Sequence, residues 1–454
     1  MNSSAASRVV ITGIGLVTAI GNSVDAFWKN CLNGETRIEA TPDHWDAYYS
    51  ATSKYWSPLD LPDFSRHGLR GSDLLTMDPA VLIAIAAADE ALENAKIERS
   101  LQAPRSGKYL SSNIDSAKSG SFVGTGLGCI TSTLDNYTPH LLKSSRPDLD
   151  RWLEDQSQVS SSKELLANFA VNRSVSPVAS LKSMPNSIGA TLSIRYNLRG
   201  PADTCSMACA SGLGAIGRAY EAVKSGRLNL ALGGGAEFYG DRAGGVFMAF
   251  DRLGALAKAD LSRNHVNRPF DEARSGFLFS QGGACFLVLE DFEHARLRGV
   301  APIAEILGTY ETSDAISLAS IHADDNSIRE MICGAIAAAD VPVEAIDYVN
   351  AHGTGTATND KVESDILFEI FGPRPLVNST KSLLGHTIGA SGAIEAAVTA
   401  LSLKNGTVHP SLNIDNPIGG LNYATERRTA SLEYALTQNF GFGGHNVGMV
   451  LARV

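Results

Sequence analysis

Thr204-Cys205-Ser206-Met207-Ala208-Cys209-Ala210-Ser211-Gly212-Leu213-Gly214-Ala215-Ile216-Gly217 passes from a short extended segment through small residues into an apolar helical pattern. Cys209 therefore stands where a helix begins. Free backbone N–H groups and the positive end of a helix favour a thiolate at such a place, and the thiolate is the nucleophilic form of cysteine. A lone cysteine is ordinarily inert packing, so a reactive Cys209 needs company. Two histidines supply it from similarly glycine-rich settings: His352 in Asn350-Ala351-His352-Gly353-Thr354-Gly355-Thr356, and His386 at the end of Lys381-Ser382-Leu383-Leu384-Gly385-His386. A fold that gathers all three makes an acyl-transfer centre.

Outward from that segment, strand-like and helix-like runs alternate. Val9 to Thr12 and Phe122 to Val123 read as strands ending in glycine turns, and Pro79 to Leu92 as an alanine-rich helix. Leu228 to Leu232 and Ala284 to Leu289 read as buried strands, the latter followed by a helical pattern from Asp291 to Leu297. The second half repeats this organisation: Ile303 to Leu307 a strand, Ile328 to Ala339 a helix, Ile346 to Val349 a strand, Ile394 to Lys404 a helix. Leu432 to Leu436 and Val447 to Leu451 suggest a closing strand pair joined by the glycine-rich Asn439 to Asn446. The expectation is a layered α/β architecture divided near residue 260, as 1–260 and 261–454, with the site at the sheet ends. Two stretches depart from this regularity: the aromatic-rich His44 to Arg70 and the mixed-charge Thr138 to Pro177. They are read as ordinary surface excursions or as covers over the site or a dimer surface.

The chain has 454 residues, 44% of them hydrophobic and 19% charged, a soluble globular composition able to bury a large core. A net charge of -10 argues against a general nucleic-acid binder, which needs clustered positive charge. No segment has the apolar length of a membrane span or a secretory signal. The six cysteines show neither a CxxC pair nor zinc spacing, so reduced thiols in a cytoplasmic protein are the simplest reading, with no metal.

A cysteine that accepts an acyl group from a thioester divides a transfer into two steps. Forming a carbon–carbon bond requires more. Loss of carbon dioxide from a malonyl-type thioester creates a carbanion whose oxygen must be stabilised, a task for neutral His352 and His386. Lys381 can orient the histidines, with Glu395 on the following helix as its ionic partner. Thr354 and Thr356 are candidates to bond a pantetheine-like amide arm, or simply to close backbone turns. In Asn439-Phe440-Gly441-Phe442-Gly443-Gly444-His445-Asn446, Phe442 is placed to guard an acyl pocket, its N–H joining that of Cys209 in an oxyanion hole. This run lacks the strand-to-helix context of a GxGxxG fingerprint, so no dinucleotide cofactor is expected.

With these segments in view, the sequence resembles the β-ketoacyl-acyl-carrier-protein synthase family of the type I/II decarboxylating kind, including type II polyketide ketosynthases. The resemblance spans almost the whole chain. Its anchors are Ala208 to Gly212, Asn350 to Thr356, Asn359-Asp360-Lys361, Asn378-Ser379-Thr380-Lys381, Gly385-His386, Phe440 to Gly444 and Arg268-Pro269-Phe270-Asp271. It implies a thiolase-like, duplicated αβαβα fold, usually a homodimer, and decarboxylative Claisen condensation. No separate cofactor is implied, the phosphopantetheine arriving on an acyl carrier protein. Cys209 would receive the growing chain, His352 and His386 assist decarboxylation, Lys381 support them, and Phe442 act as gate. The second histidine separates the pattern from initiating relatives with a Cys-His-Asn set.

Departures bear on substrate choice. His445 stands where many members have Thr, and Cys129 follows Gly124-Thr125-Gly126-Leu127-Gly128, a region the resemblance places near the acyl tunnel; with Phe440 these are the acyl-pocket candidates. A specialised polyene or polyketide condensing enzyme is as consistent with this sequence as a fatty-acid elongator. Acyl carrier proteins, the partners this family uses, are acidic, which makes Arg66 with Arg70, or Arg252 with Lys258, candidate docking patches. The alternatives are a noncatalytic, tunnel-shaping partner in a heterodimeric ketosynthase, which the retained Cys209 disfavours, and a thiolase-like degradative transferase.

Overall fold

Val9–Val17 (β1) is buried at every position, as in a strand covered on both faces. Its glycines make this possible. A Cβ at Gly13 or Gly15 would fall 2.1 Å from the carbonyl oxygen of Ala91 or Ala87, so only glycine lets the helix Pro79–Asn94 (α1) lie this close. The computed structural model describes residues 7–47, 49–103, 106–144, 177–258, 262–319, 321 and 326–454, and only the backbone of 47 and 138–144. Most of the irregular stretch Thr138 to Pro177 lies outside the described residues.

Four further strands complete a first set: Ser119–Gly124 (β2), Ala202–Cys205 (β3), Leu230–Phe238 (β4) and Gly282–Asp291 (β5). Their spatial order is β3-β2-β4-β5-β1, with β2 parallel to β3 and β4, and the remaining pairs antiparallel. A second set consists of Ala304–Ser313 (β6), Ile346–Asn350 (β7), Leu376–Asn378 (β8), Tyr434–Gly441 (β9) and His445–Ala452 (β10). It repeats both the order and the directions, as β8-β7-β9-β10-β6. β1 pairs with β6, which joins the sets into one sheet of eleven strands with Asn422–Tyr423 at its edge.

Helices α1, Ser211–Lys224 (α2), Ser327–Ala339 (α3) and Ser391–Asn405 (α4) complete the layers. α1 covers β1, β4 and β5, while α3 covers β6 and β10. α2 and α4 pack on each other, and each touches strands of both sets, so they form the central layer of a thiolase-like duplicated αβαβα fold. Three-residue turns, Ala208–Ala210 and Ile388–Ala390, lead into α2 and α4 in the same way, so Cys209 and Gly389 occupy corresponding places.

Two elements differ from the sequence expectation. The strand read as Leu228 to Leu232 runs instead from Leu230 through Gly233-Gly234-Gly235 to Phe238. These glycines are strand residues because their neighbours press on them: a Cβ on Gly234 would stand 2.1 Å from Cys285 O, and one on Gly235 2.7 Å from Gly389 O. The supposed connection Asn439 to Asn446 is mostly strand, and only Phe442 to Gly444 turns the chain. Trp45 and Trp56 from the aromatic stretch are buried at 5.0 Å between ring centroids, in the apolar cluster that contains Cys209.

Candidate active site

Cys209, His352 and His386 line one cavity of about 520 Å³, together with Thr354, Thr356, Phe440 and Phe442. Cys209 and His352 arrive from turns that follow strands, and His386 from the turn after a short helix. Cys209 lies in the turn before α2, with Ala208 at φ +47°. His352 follows β7, and His386 follows the short helix Lys381–Leu384. The flanking glycines pack on protein rather than opening toward the cavity: a Cβ at Gly353 would meet Ser379 at 2.6 Å, and one at Gly385 would meet Leu278 O at 2.7 Å.

The electrostatics of Cys209 correct the sequence expectation. Burial pushes its thiol up to about 12, outweighing the charge of Lys381 and a hydrogen bond from the Phe442 N–H, which act in the opposite sense. The resting group is a thiol because desolvation penalises the thiolate more than the turn and helix end favour it. Cys205 packs as a structural residue, its Sγ 3.5 Å from Ser211 O.

Hydrogen bonding decides the histidine tautomers. His352 Nδ1 faces Lys381 Nζ at 3.2 Å and Asn439 Nδ2 at 3.1 Å. The Asn439 amide is oriented by a second bond, Nδ2 to Glu395 Oε2 at 2.6 Å. With two donors on Nδ1, the proton of neutral His352 is on Nε2. The Ile388 N–H donates to His386 Nδ1 at 3.2 Å, which assigns the same tautomer there. Burial first, then the Lys381 charge, holds both imidazoles well below their usual pKa, so both are neutral. Their rings meet edge to face at 5.6 Å.

Lys381 also donates to His352 O at 2.7 Å and to Glu395 Oε1 at 2.6 Å, a fully buried pair. Burial raises the Glu395 pKa, opposed by Lys381 and by the Asn439 hydrogen bond. Below this network Glu363 accepts the N–H groups of His352 and Gly353 at 2.7 and 2.8 Å, and Asp360 accepts those of Thr354 and Gly355. Asn439 and Glu363 were not singled out from sequence. The only trace was a polar residue within an apolar pattern, such as Glu363 on the buried face of Ala357–Phe371.

Phe442 stacks on Phe250 at 6.4 Å at the cavity wall. The oxygens of Thr354 and Thr356 lie 2.9 Å apart. The remaining candidates are dispersed. Cys129 is buried beside Ser187 Oγ, 3.2 Å away, and His445 opens β10; neither lines this cavity. Arg252 lies over the Tyr49 ring at 4.4 Å, next to Leu253 of the cavity wall, and the Lys258 N–H bonds Ser275 of the same wall. Arg66 and Arg70 sit elsewhere, each beside a carboxylate, Asp63 and Asp73. Among the described residues, no cluster of His, Cys, Asp and Glu is placed to hold a metal ion, and no helix is long and apolar enough to cross a membrane.

The family comparison agrees with this geometry. Residues 6–294 match the β-ketoacyl synthase N-terminal domain, and residues 303–415 its C-terminal domain. The chain belongs to the β-ketoacyl synthase family. It is a ketosynthase-type condensing enzyme. It is 30% identical to 3-oxoacyl-[acyl-carrier-protein] synthase 2 of Vibrio cholerae serotype O1, over 98% of this chain and 99% of that one. A β-ketoacyl synthase from Burkholderia phymatum STM815 superposes with a TM-score of 0.81 at 30% identity, covering 99% of this chain and 100% of the other. The ishigamide ketosynthase/chain length factor gives 0.79 at 26%, with the same coverage.

Proposed function

We propose that this ketosynthase carries an acyl group on Cys209 and condenses it with malonyl-acyl carrier protein. In the first step the Cys209 sulfur bonds the acyl carbon, the incoming carbon–sulfur bond breaks, and the thiol proton leaves with the departing pantetheine thiolate. In the second, the malonyl carbon–carboxylate bond breaks, carbon dioxide departs, and the electron pair becomes an enolate. The Nε2–H groups of His352 and His386 donate to the enolate oxygen. The carbanion attacks the Cys209 thioester carbonyl, to whose developing oxyanion the N–H groups of Cys209 and Phe442 donate, and the sulfur leaves as a thiolate that takes a proton from water to restore the resting thiol. Thr354 and Thr356 hold the pantetheine arm, which the acyl carrier protein brings.

The observation that carries this reading is that two neutral histidines, each with a donor facing Nδ1 so that the proton sits on Nε2, share a cavity with a buried cysteine. A homodimer in the cytoplasm, acting on a fatty-acid or specialised polyketide chain, completes the proposal. Arg252 and Lys258, beside the cavity wall, are the better placed of the two carrier-docking patches. The first set of strands ends at Asp291 and the second begins at Ala304, so the halves of this reading divide near residue 300 rather than at 260.

The test is intact mass with product formation, using a panel of acyl carrier proteins, malonyl-carrier protein and a Cys209→Ala control. Acylation that needs Cys209, followed by a β-ketoacyl product, supports the proposal. Absence of both across a validated panel favours the noncatalytic partner subunit.

A further inference from the structure

β4 carries Glu237, a fully buried carboxyl group with no part in the chemistry above. Register makes it the counterpart of Asn439. Gly124 pairs with Gly235 in the first set and Asn350 with Thr437 in the second, and Glu237 and Asn439 each lie two residues further on. Asn439 holds His352. Glu237 instead accepts the Gly126 N–H at 2.5 Å and the Leu127 N–H at 3.2 Å, with Thr125 Oγ1 at 3.3 Å.

The same carboxyl group abuts the opposite half. Its Oε2 lies 2.3 Å from where a Cβ on Gly389 would stand and 3.0 Å from one on Gly126, so both turns are fitted around it. The turn Ile388–Ala390 packs on β4 and on Ala208–Ala210, which carries Cys209. Ile388 shares the apolar cluster of Cys209 and donates its N–H to His386 Nδ1. It does so at φ +52°, a left-handed conformation that a β-branched residue adopts only when its surroundings compel it.

We propose that Glu237 is a positioning residue for the catalytic centre, clamping Thr125 to Leu127 against the turn Ile388–Ala390 and so fixing both the Ile388 N–H that orients His386 and the seat of Cys209. This rests on the reading of Cys209 and His386 as condensing residues. The carboxyl group also bears on the thiol. Burial raises Glu237 to about 7, opposed by the N–H groups of Gly126 and Leu127 and the hydroxyls of Thr125 and Tyr239. Its negative charge raises the Cys209 thiol, while Lys381 lowers it. Among the described residues, Tyr239, just past the end of the same strand, Cys209, across the turn, and Cys129, just beyond the Thr125 to Leu127 segment, are the ionisable groups that the Glu237 charge raises.

The test compares full-length wild type, Glu237→Gln and Glu237→Ala in two assays: carbon dioxide release from malonyl-carrier protein, and iodoacetamide alkylation of Cys209 followed by mass across about pH 6 to 10. Glu237→Ala is expected to lower kcat for decarboxylation at least ~10-fold with KM within about twofold, and Glu237→Gln, which keeps an acceptor oxygen, to retain most of it. Alkylation of Glu237→Gln shifts to lower pH, because the charge that disfavours the thiolate has gone. Wild-type kcat in Glu237→Ala overturns the proposal. If that variant does not fold, an unshifted alkylation profile in Glu237→Gln overturns it and a shifted one supports it. A wild type that releases no carbon dioxide counts against the condensation reading, and the alkylation profile then decides the role of Glu237 by itself.

Discussion

Lys381 Nζ lies 3.2 Å from His352 Nδ1 and 2.7 Å from the carbonyl oxygen of the same residue, with Glu395 Oε1 2.6 Å away. One ammonium group therefore shares with Asn439 the hold on the His352 tautomer, anchors the backbone of the same residue and neutralises a buried carboxylate. Lys381→Met removes all three. Leaving Glu395 unpaired is expected to cost about 3–5 kcal/mol in stability, read by urea unfolding. Decarboxylation should fall by roughly two orders of magnitude, because the His352 ring is left to Asn439 alone and its backbone anchor is lost. The double variant Lys381→Met/Glu395→Leu should recover most of the stability and none of the rate, which separates folding from positioning.

The pH profile follows from the buried imidazoles. His352 and His386 are both held well below the usual histidine value, chiefly by burial. Carbon dioxide release should therefore stay level as pH falls through about 6.5, the ordinary imidazole pKa, and decline only further into acid. A rate limb centred near the ordinary value that persists when Glu237 and Glu363, both raised to about 7 by burial, are each replaced by Gln would contradict the assignment of two neutral, buried histidines.

His409 offers a linkage test away from the reacting atoms. Burial lowers it to about 4, against a weaker opposing bond to Pro410 O, and its other nitrogen faces Thr380 Oγ1 at 3.1 Å. Between about 4 and 6.5 the unfolded chain binds a proton that the folded one does not, so stability is lost as pH falls through this window. Relative to His409→Gln, the wild type should lose roughly 3 kcal/mol more between about pH 7 and pH 4, measured by urea unfolding at each pH.

Gly441 is a steric test of the proposed oxyanion site. A Cβ there would stand 2.3 Å from Met207 O and 3.3 Å from the N–H nitrogens of Cys209 and Ala210. Gly441→Ala must displace the Phe442 N–H from Cys209. A fall in kcat of about 10²-fold or more is expected, with far-ultraviolet circular dichroism unchanged.

Thr354 and Thr356 should act on binding rather than on chemistry. Each hydroxyl is worth about 0.5–1.5 kcal/mol to a bound arm, so the double valine variant should raise KM for malonyl-carrier protein roughly 10-fold or more with kcat little changed. A fall in kcat at constant KM would place these residues in the reaction instead of the binding site.

The alternation of strands and helices, and the small-residue settings of Cys209, His352 and His386 that line one cavity, were legible because their signals are local. Periodicity marks Pro79–Asn94 and Ser327–Ala339 as helices, and small residues mark the turn at Cys209. Where a local signal was ambiguous it misled: Gly233 to Gly235 read as the end of a strand, yet the pressure of α2 and the turn at Gly389 makes glycine a requirement of the strand interior. The duplication was faint in residue identities and plain in strand order, since topology depends on pairing across hundreds of residues.

The sequence by itself determined which chemistry-bearing side chains this protein owns and which of them stand in turns. Tertiary structure alone decided their state. Desolvation makes Cys209 a resting thiol in spite of the helix behind it. The tautomer of His352 depends on Lys381 and Asn439, distant in sequence by 29 and 87 residues. Glu237 and Gly389 meet across the two halves. Protonation and orientation respond to distance and dielectric, and neither is encoded in the neighbours of a residue along the chain.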